Sequence, residues 1–465
     1  MSERPAGRES EPGPSGRGSG RQPVDSPSGP TVGREREALT TTLLDELEAR
    51  GLVQDSTDRE QLAARLAAGP VALYYGCDPT ADSLHIGNLI GLLVLRRFQD
   101  AGHRPVALAG GATGMVGDPS GQSDERNLLD AATLDANVAA IKSQMARILD
   151  FESGGAVLVD NRDWTADVTL LDFLRNVGKH VTVNQMLARE SVRGRLQRDG
   201  EGISYTEFSY MLLQAHDYLW LNEHLGVELQ IGGSDQWGNI VSGVDLVRRV
   251  RGQAVHGLSW PLMTAPDGRK LGKTTGAWVW LDPARTSPYR FYQHWMQTDD
   301  RQVREYLAKF TLLDVSAVDD LAADHAKAPE RRRGQRVLAG EVTALVHGAA
   351  AARAAEQASE ILFGGSPLAA DGDALATVAA EVPTAPLGSD EDLATGVDPV
   401  PLLVDAGLAT SRADARRSLQ QGAVSVNGER VETGRMIGKG DVLYGRYVVL
   451  RKGKKSYAVL VRDGS

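Results

Sequence analysis

The sequence predicts an α/β fold in which a parallel-sheet domain is followed by an α-helical domain and a small α+β domain. Between Val71 and about Pro261, short apolar runs alternate with amphipathic stretches. From Pro283 to about Val382 the chain turns to Ala, Leu, Arg and Glu with few β-branched runs, and the last 65 residues pair one helical stretch with short strands. Alternating strands and helices imply a parallel sheet whose ligands sit at the carboxyl ends of its strands. Chemistry is therefore expected in the loops after those strands.

In chain order, residues 1–33 hold 6 Pro, 7 Gly and 6 Ser. Residues 1–36 are read as a disordered extension, because so little apolar surface cannot offset the entropy of ordering. Helical spacing begins near Glu37, with Leu39, Leu43, Leu44 and Leu47 three to four apart. Strands are expected over 71–75, 105–109, 156–159 and 227–231, and helices over 84–101, 168–177 and 206–225, within a domain spanning 37–262. Residues 263–285 form a lysine-bearing connection to a helical domain, 286–385. Residues 386–400, polar and broken by Gly and Pro, read as a linker. The last unit, 401–465, is expected to carry a helix at 413–421 and strands at 423–426, 441–444 and 447–450.

Composition narrows the class. A chain of 465 residues can bury several cores, and its single cysteine, Cys77, cannot close an intrachain disulfide, which suits a reducing cytoplasm. The longest clear apolar run, Leu89 to Leu95, is seven residues, far short of the roughly 18–20 of a membrane helix. No signal peptide, no membrane partner and no DNA partner are expected. The net charge is −10, yet residues 401–465 hold 12 Lys+Arg against 6 Asp+Glu, a net of +6 that leaves −16 on residues 1–400. A basic carboxyl end on an acidic body fits local contact with a polyanion, or an ordinary solvated surface.

Three clusters carry chemistry. The first expected strand runs into Gly76-Cys77-Asp78-Pro79-Thr80, and His85-Ile86-Gly87-Asn88 opens an apolar helix. A helix amino terminus offers unpaired N–H groups and a positive dipole end to a phosphate, and Gly87 lets a flat group approach. Thr80, His85 and Asn88 add donors. The second cluster is Lys270-Leu271-Gly272-Lys273-Thr274 after the turn Ala265-Pro266-Asp267-Gly268, two lysines able to stabilise charge on a phosphate. The third is Tyr210, Gln214 and Asp217 on one face of the 206–225 helix. Spacing alone leaves that face open between a solvated surface and a pocket wall. Gly232-Gly233-Ser234-Asp235-Gln236 follows the 227–231 strand, where an Asp suits ribose hydroxyls.

Together, in order, these clusters resemble the bacterial tyrosyl-tRNA synthetases, class I aminoacyl-tRNA synthetases, from about Thr40 to Ser465. The shared text includes Asp78-Pro79-Thr80-Ala81-Asp82-Ser83-Leu84-His85-Ile86-Gly87, Gly110-Gly111-Ala112-Thr113-Gly114, Gly117-Asp118-Pro119-Ser120-Gly121, Phe208-Ser209-Tyr210-Met211-Leu212-Leu213-Gln214 and Gly232-Gly233-Ser234-Asp235-Gln236-Trp237-Gly238-Asn239. The family's His-Ile-Gly-His stands as His85-Ile86-Gly87-Asn88, and its Lys-Met-Ser-Lys-Ser as Lys270-Leu271-Gly272-Lys273-Thr274.

The resemblance implies a Rossmann-like catalytic domain and a small α+β, S4-like RNA-binding domain. It implies attack of the L-tyrosine carboxylate on the α-phosphate of ATP, Mg²⁺ accompanying ATP, then transfer to the terminal ribose of tRNA(Tyr). Thr80, His85, Lys270 and Lys273 fall to the phosphates, Asn88 and Asp235 to the ribose, and Gly87 and Thr274 to ATP as further contacts. Tyr74 and Asp217 fall to the phenolic hydroxyl, Asp118, Tyr210 and Gln214 to the ammonium, and Gln236 to the carboxylate. Arg412, Arg416, Arg417, Arg451, Lys452, Lys454 and Lys455 would meet tRNA phosphates, and a homodimer is expected. No protein-ligated metal is expected. Deleting residues 400–465 is expected to spare adenylate formation and impair charging. Trp260, Trp278, Trp280 and Trp295 are read as core or interface. Two rivals are a nucleotidyl-transfer enzyme with no RNA partner and a non-catalytic RNA-binding protein. The basic carboxyl unit speaks against the first, and His85, Lys270 and Lys273 against the second. A tryptophanyl enzyme is the nearest relative weighed, and Asp217 with Tyr74 better suits a phenol.

Overall fold

The computed structural model describes residues 42–118, 129–153, 155–189, 192–193, 196, 203–263 and 278–462. Residues 1–36, read as disordered, lie outside them. Among the described residues no helix is long and apolar enough to cross a membrane.

The first sheet has six strands: β1 (Asp55–Ser56), β2 (Ala72–Cys77), β3 (Arg104–Ala109), β4 (Val157–Asp160), β5 (Val227–Gly233) and β6 (His256–Trp260). Their order is β1-β6-β5-β2-β3-β4, with β1 antiparallel to β6 and every other pair parallel. The parallel sheet is as expected, but the antiparallel edge strand and β6 were not foreseen. In β6 a glycine follows the first residue and a serine interrupts the apolar side chains, which reads as broken rather than as a strand. All five of its residues are nevertheless buried. A Cβ at Gly257 would fall 2.5 Å from Ile240, so the glycine lets the helix Trp237–Arg251 lie close on the sheet.

The helix Ile86–Asp100 covers the sheet with Leu89, Leu92, Leu93, Val94 and Leu95, all fully buried. Each contributes about 1.5–3 kcal/mol of burial. The same apolar cluster continues into Phe291, Tyr292 and Trp295 of the helix Pro288–Met296 and Leu307 and Phe310 of Val303–Phe310. Two buried guanidinium groups tie these parts together. Arg50 donates to the carbonyls of Ala308 and Leu313, and Arg97 to those of Ala308, Lys309 and Thr311. A helix carboxyl terminus presents unpaired carbonyls and a negative dipole end, which suits a cation.

The second sheet comprises β7 (Thr384–Pro386), β8 (Val424–Val426), β9 (Glu429–Arg430), β10 (Tyr447–Lys452) and β11 (Ser456–Val461), in the order β7-β11-β10-β8-β9. Residues read as linker prove structured: β7 runs parallel to β11 up to Pro386, helix Asp390–Thr395 follows, and Leu387 and Leu393 are buried. Glycine and proline there serve as caps and turns of short elements. The strand expected over 441–444 is instead a turn, in which Lys439–Asp441 is a 3-10 helix and Tyr444 takes a left-handed φ of 48°. One face of this sheet, with Val449, Tyr457 and Val459, packs on Ile361, Leu375 and Val378.

Candidate active site

Strand order reverses between β2 and β5, since β3 and β4 extend to one side and β6 to the other. Such a switch point opens a crevice at the carboxyl ends of the strands. A cavity of about 330 Å³ lies there. It is lined by every described residue expected to bind tyrosine or nucleotide: Tyr74, Thr80, His85, Gly87, Asn88, Asp118, Tyr210, Gln214, Asp217, Asp235 and Gln236. Lys270, Lys273 and Thr274 lie outside the described residues, but Met263 and Trp278, which flank their segment, both line this cavity.

At its inner end Asp217 is buried, on the helix Tyr205–Leu225. Asn161 Nδ2 donates to its Oδ2 and Trp164 Nε1 to its Oδ1, each at 2.9 Å. Burial raises its pKa to about 7, against those two donors, which lower it. Desolvation penalises the charged form, and hydrogen bonds to that form favour it. Near it the buried Tyr74 hydroxyl has no hydrogen-bond partner among the described residues, and the charge of Asp217 acts on it. A buried hydroxyl without a partner is costly. The solvated-face reading of Tyr210 fails, since that residue is buried and its hydroxyl donates to Asp78 Oδ2 at 2.7 Å. Thr113 donates to the other oxygen of Asp78 at 2.7 Å, and Asn161 donates to Thr113 at 3.0 Å. Gln236 donates to Asp118, and Asn239 donates to Gln214 at 3.0 Å.

At the outer end His85 caps the helix Ile86–Asp100. Its Nδ1 accepts from the Gly87 N–H at 3.1 Å, and Asn88 Oδ1 accepts from the His85 N–H at 3.1 Å. A Cβ at residue 87 would fall 2.9 Å from the His85 ring, so this glycine makes room for the histidine itself. Burial lowers the His85 pKa to about 4, leaving a neutral imidazole near pH 7. Thr80 and Asp235 are exposed at the rim. Trp278, read as core or interface, is no core residue: it is exposed and stacks on His85 at 4.5 Å and 19°. The backbone of Val279 and Leu281 bonds that of Ile86 and Leu84, fastening this segment to the motif.

Asn161, Trp164, Thr113 and the side chain of Asp78 are site residues that the sequence reading did not single out. Asp78 and Thr113 stood inside quoted motifs. Asn161 directly follows β4, the placement that the strand-end rule singles out, so a signal existed.

Of the seven expected RNA contacts, Arg412, Arg416 and Arg417 are exposed on the helix Arg412–Gln420, and Lys454 and Lys455 are exposed at the β10–β11 turn. Lys452 is half-buried and pairs with Asp414 at 2.9 Å. Arg451 is half-buried, with its guanidinium 5.9 Å from the Tyr457 ring centre.

Comparison with known proteins places this arrangement. Residues 66–364 match the family described as tRNA synthetases class I (W and Y), and residues 375–460 match the tyrosine–tRNA ligase SYY-like C-terminal domain. The chain is 51% identical over 422 residues to the tyrosine–tRNA ligase of Opitutus terrae, covering 90% of this chain and 99% of that protein. It is 50% identical over 423 residues to that of Roseiflexus castenholzii, with the same coverage. The crystal structure of a C-terminally truncated Aspergillus nidulans mitochondrial tyrosyl-tRNA synthetase superimposes with a TM-score of 0.64 at 31% identity, over 70% of this chain and 96% of that one. A cleft at the sheet's switch point, framed by the His85 motif and by Asp217, thus sits on a scaffold shared almost end to end with these enzymes, and the chain belongs to the tyrosine–tRNA ligases of the class I tRNA synthetases.

Proposed function

We propose that the cleft is where L-tyrosine meets Mg·ATP, with Asp217 and Tyr74 reading the ring hydroxyl. The supporting observation is the pair itself: a buried carboxylate with one donor on each oxygen, near a buried tyrosine hydroxyl that lacks a partner among the described residues. A substrate phenol donates to the carboxylate and accepts from Tyr74. Phenylalanine leaves the Tyr74 hydroxyl unpaired and takes one donor from the Asp217 carboxylate, a penalty of about 1–3 kcal/mol or more.

A tyrosine carboxylate oxygen attacks the α-phosphorus of ATP, and the bond to the bridging oxygen breaks to release pyrophosphate. A hydroxyl of the tRNA terminal ribose then attacks the tyrosyl carbonyl, expelling AMP. The substrate supplies the nucleophile, so the protein positions groups and stabilises developing charge. Asp118, Tyr210 and Gln214 hold the ammonium, joined by Asp78. Gln236 directs the carboxylate. Thr80, His85, Lys270, Lys273 and Thr274 serve the phosphates, with neutral His85 acting as a hydrogen-bonding group rather than a charge. Gly87, Asn88 and Asp235 take the nucleoside. Among the described residues no group of three His, Cys, Asp or Glu is placed to hold a metal ion, and Mg²⁺ enters with ATP as part of the substrate.

The exposed Arg412, Arg416, Arg417, Lys454 and Lys455 engage tRNA(Tyr) phosphates, with Lys452 and Arg451 holding that surface in shape. A homodimer explains the apolar surface of the helix Leu170–Asn176, where Leu170 and Leu171 are 70% and 77% exposed. The setting we propose is cytoplasmic, consistent with a free, buried Cys77. Pyrophosphate exchange across the twenty amino acids tests the reading. Tyrosine alone should support turnover, and equal turnover with tryptophan or phenylalanine would overturn it.

A further inference from the structure

Trp220 and His224 do not line the cleft, yet they extend a stack of three flat rings that ends on Asp217. Trp164, whose indole N–H donates to Asp217 Oδ1, lies on Trp220 with ring centroids 4.3 Å apart and planes 9° from parallel. Trp220 in turn lies on His224 at 4.2 Å and 13°. Asp217, Trp220 and His224 are spaced i, i+3 and i+7 along the helix Tyr205–Leu225, so they share a face. The stack runs outward from the buried carboxylate, through a buried and a half-buried indole, to an exposed imidazole.

The outer end is anchored. His224 Nδ1 lies 2.9 Å from the Trp220 carbonyl oxygen, which can only accept, so Nδ1 carries a proton and donates it there. That bond, closed within one helical turn, keeps the imidazole flat on the second indole. The inner end needs such support, because Trp164 stands on the four-residue helix Arg162–Thr165, a single turn with no side-chain cap. An indole N–H lies in the plane of its ring, so face-to-face contact with Trp220 sets the plane in which the bond to Asp217 is made. A tilted indole makes a bent, weaker bond, and the carboxylate is then free to turn away from the substrate hydroxyl.

We propose that Trp220, braced by His224, is a positioning residue for tyrosine recognition: the stack holds the Trp164 indole in the plane that fixes the Asp217 carboxylate for the ring hydroxyl. The proposal rests on the reading of Asp217 as the contact for that hydroxyl. The test is pyrophosphate exchange, with kcat/KM for tyrosine and phenylalanine and KM for ATP, in the wild type and in variants at these positions. Trp220→Leu removes the flat face. It should lower the preference for tyrosine about three- to tenfold, as loss of one hydrogen bond implies, through the KM for tyrosine and with the KM for ATP unchanged. Trp220→Phe restores a flat ring and should regain most of the preference, and His224→Ala, at the surface, should lower it by a smaller factor. Adding Trp220→Leu to Trp164→Phe should cost no further preference, since the donor it positions is already gone. If Trp164→Phe or Trp220→Leu keeps the preference while Asp217→Ala loses it, the role given to the stack is wrong. Equal rises in the KM for tyrosine and for ATP, with no rescue by Trp220→Phe, would also overturn it. If Asp217→Ala keeps the preference too, the reading of Asp217 fails, and the proposal with it.

Discussion

Trp164 donates its indole N–H to Oδ1 of Asp217 at 2.9 Å. The donor is held in place because its ring stacks on Trp220 at 4.3 Å and 9°. Trp164→Phe keeps the stack and removes the donor. A hydrogen bond to a charged group is worth about 1.5–3 kcal/mol, and one pKa unit is about 1.4 kcal/mol, so the Asp217 pKa should rise by about one unit or more. The pH profile of kcat/KM for tyrosine in pyrophosphate exchange should move up correspondingly, and an unmoved profile would contradict this.

In the wild type, tyrosine activation should fall as pH drops through about 7, where Asp217 takes up its proton. His85, with its pKa lowered to about 4, stays neutral over that range and adds no step. The stability effect has a definite sign. A raised carboxyl pKa means that the folded chain keeps a proton the unfolded chain has released. Asp217 therefore favours folding fully below its ordinary value, and that contribution is lost as pH rises through about 7. Asp217→Asn should flatten both the activity step and the stability slope, measured by exchange kinetics and by denaturation across pH.

Tyr210→Phe removes a donor to Asp78 while retaining the buried ring. The KM for tyrosine should rise about tenfold with the KM for ATP unchanged, in line with loss of one hydrogen bond to a carboxylate. A rise in the ATP value alone would move Tyr210 to the nucleotide end.

Deleting residues 400–465 is a poor test of the RNA contacts, because β11 pairs with β7 and the sheet shares a core with Ile361, Leu375 and Val378. Reversing charge at exposed Arg416 and Arg417, or at Lys454 and Lys455, leaves that core intact. Pyrophosphate exchange should be unaffected, while kcat/KM for tRNA falls and its dependence on salt becomes shallower. Equal loss in both assays would point to misfolding.

Much of this cleft was legible in the chain before any fold was known. Tyr210, Gln214 and Asp217 fall at helical spacing, Asp235 and Gln236 follow a strand, and His85 opens a helix. Each signal is local, and the strand-end rule needs only local signals to gather them. What escaped the reading is held by tertiary contact. Asn161 and Trp164 matter because β4 ends opposite Asp217, Trp278 because its segment bonds back to Leu84 and Ile86, and β6 because its glycine admits a helix. The linker misread at 386–400 has the same origin: Leu387 and Leu393 are buried in the core of the second sheet, and the Leu387 N–H bonds the Val461 carbonyl just past the end of β7.

The central claim is that Asp217 recognises the oxygen of the substrate ring. Its most direct test compares kcat/KM in pyrophosphate exchange for tyrosine and phenylalanine, in the wild type and in Asp217→Ala. The account predicts that the preference for tyrosine falls at least about tenfold, mainly through tyrosine, because a hydrogen bond to a charged group is lost. Tyrosine exchange and preference both unchanged in the variant would contradict it.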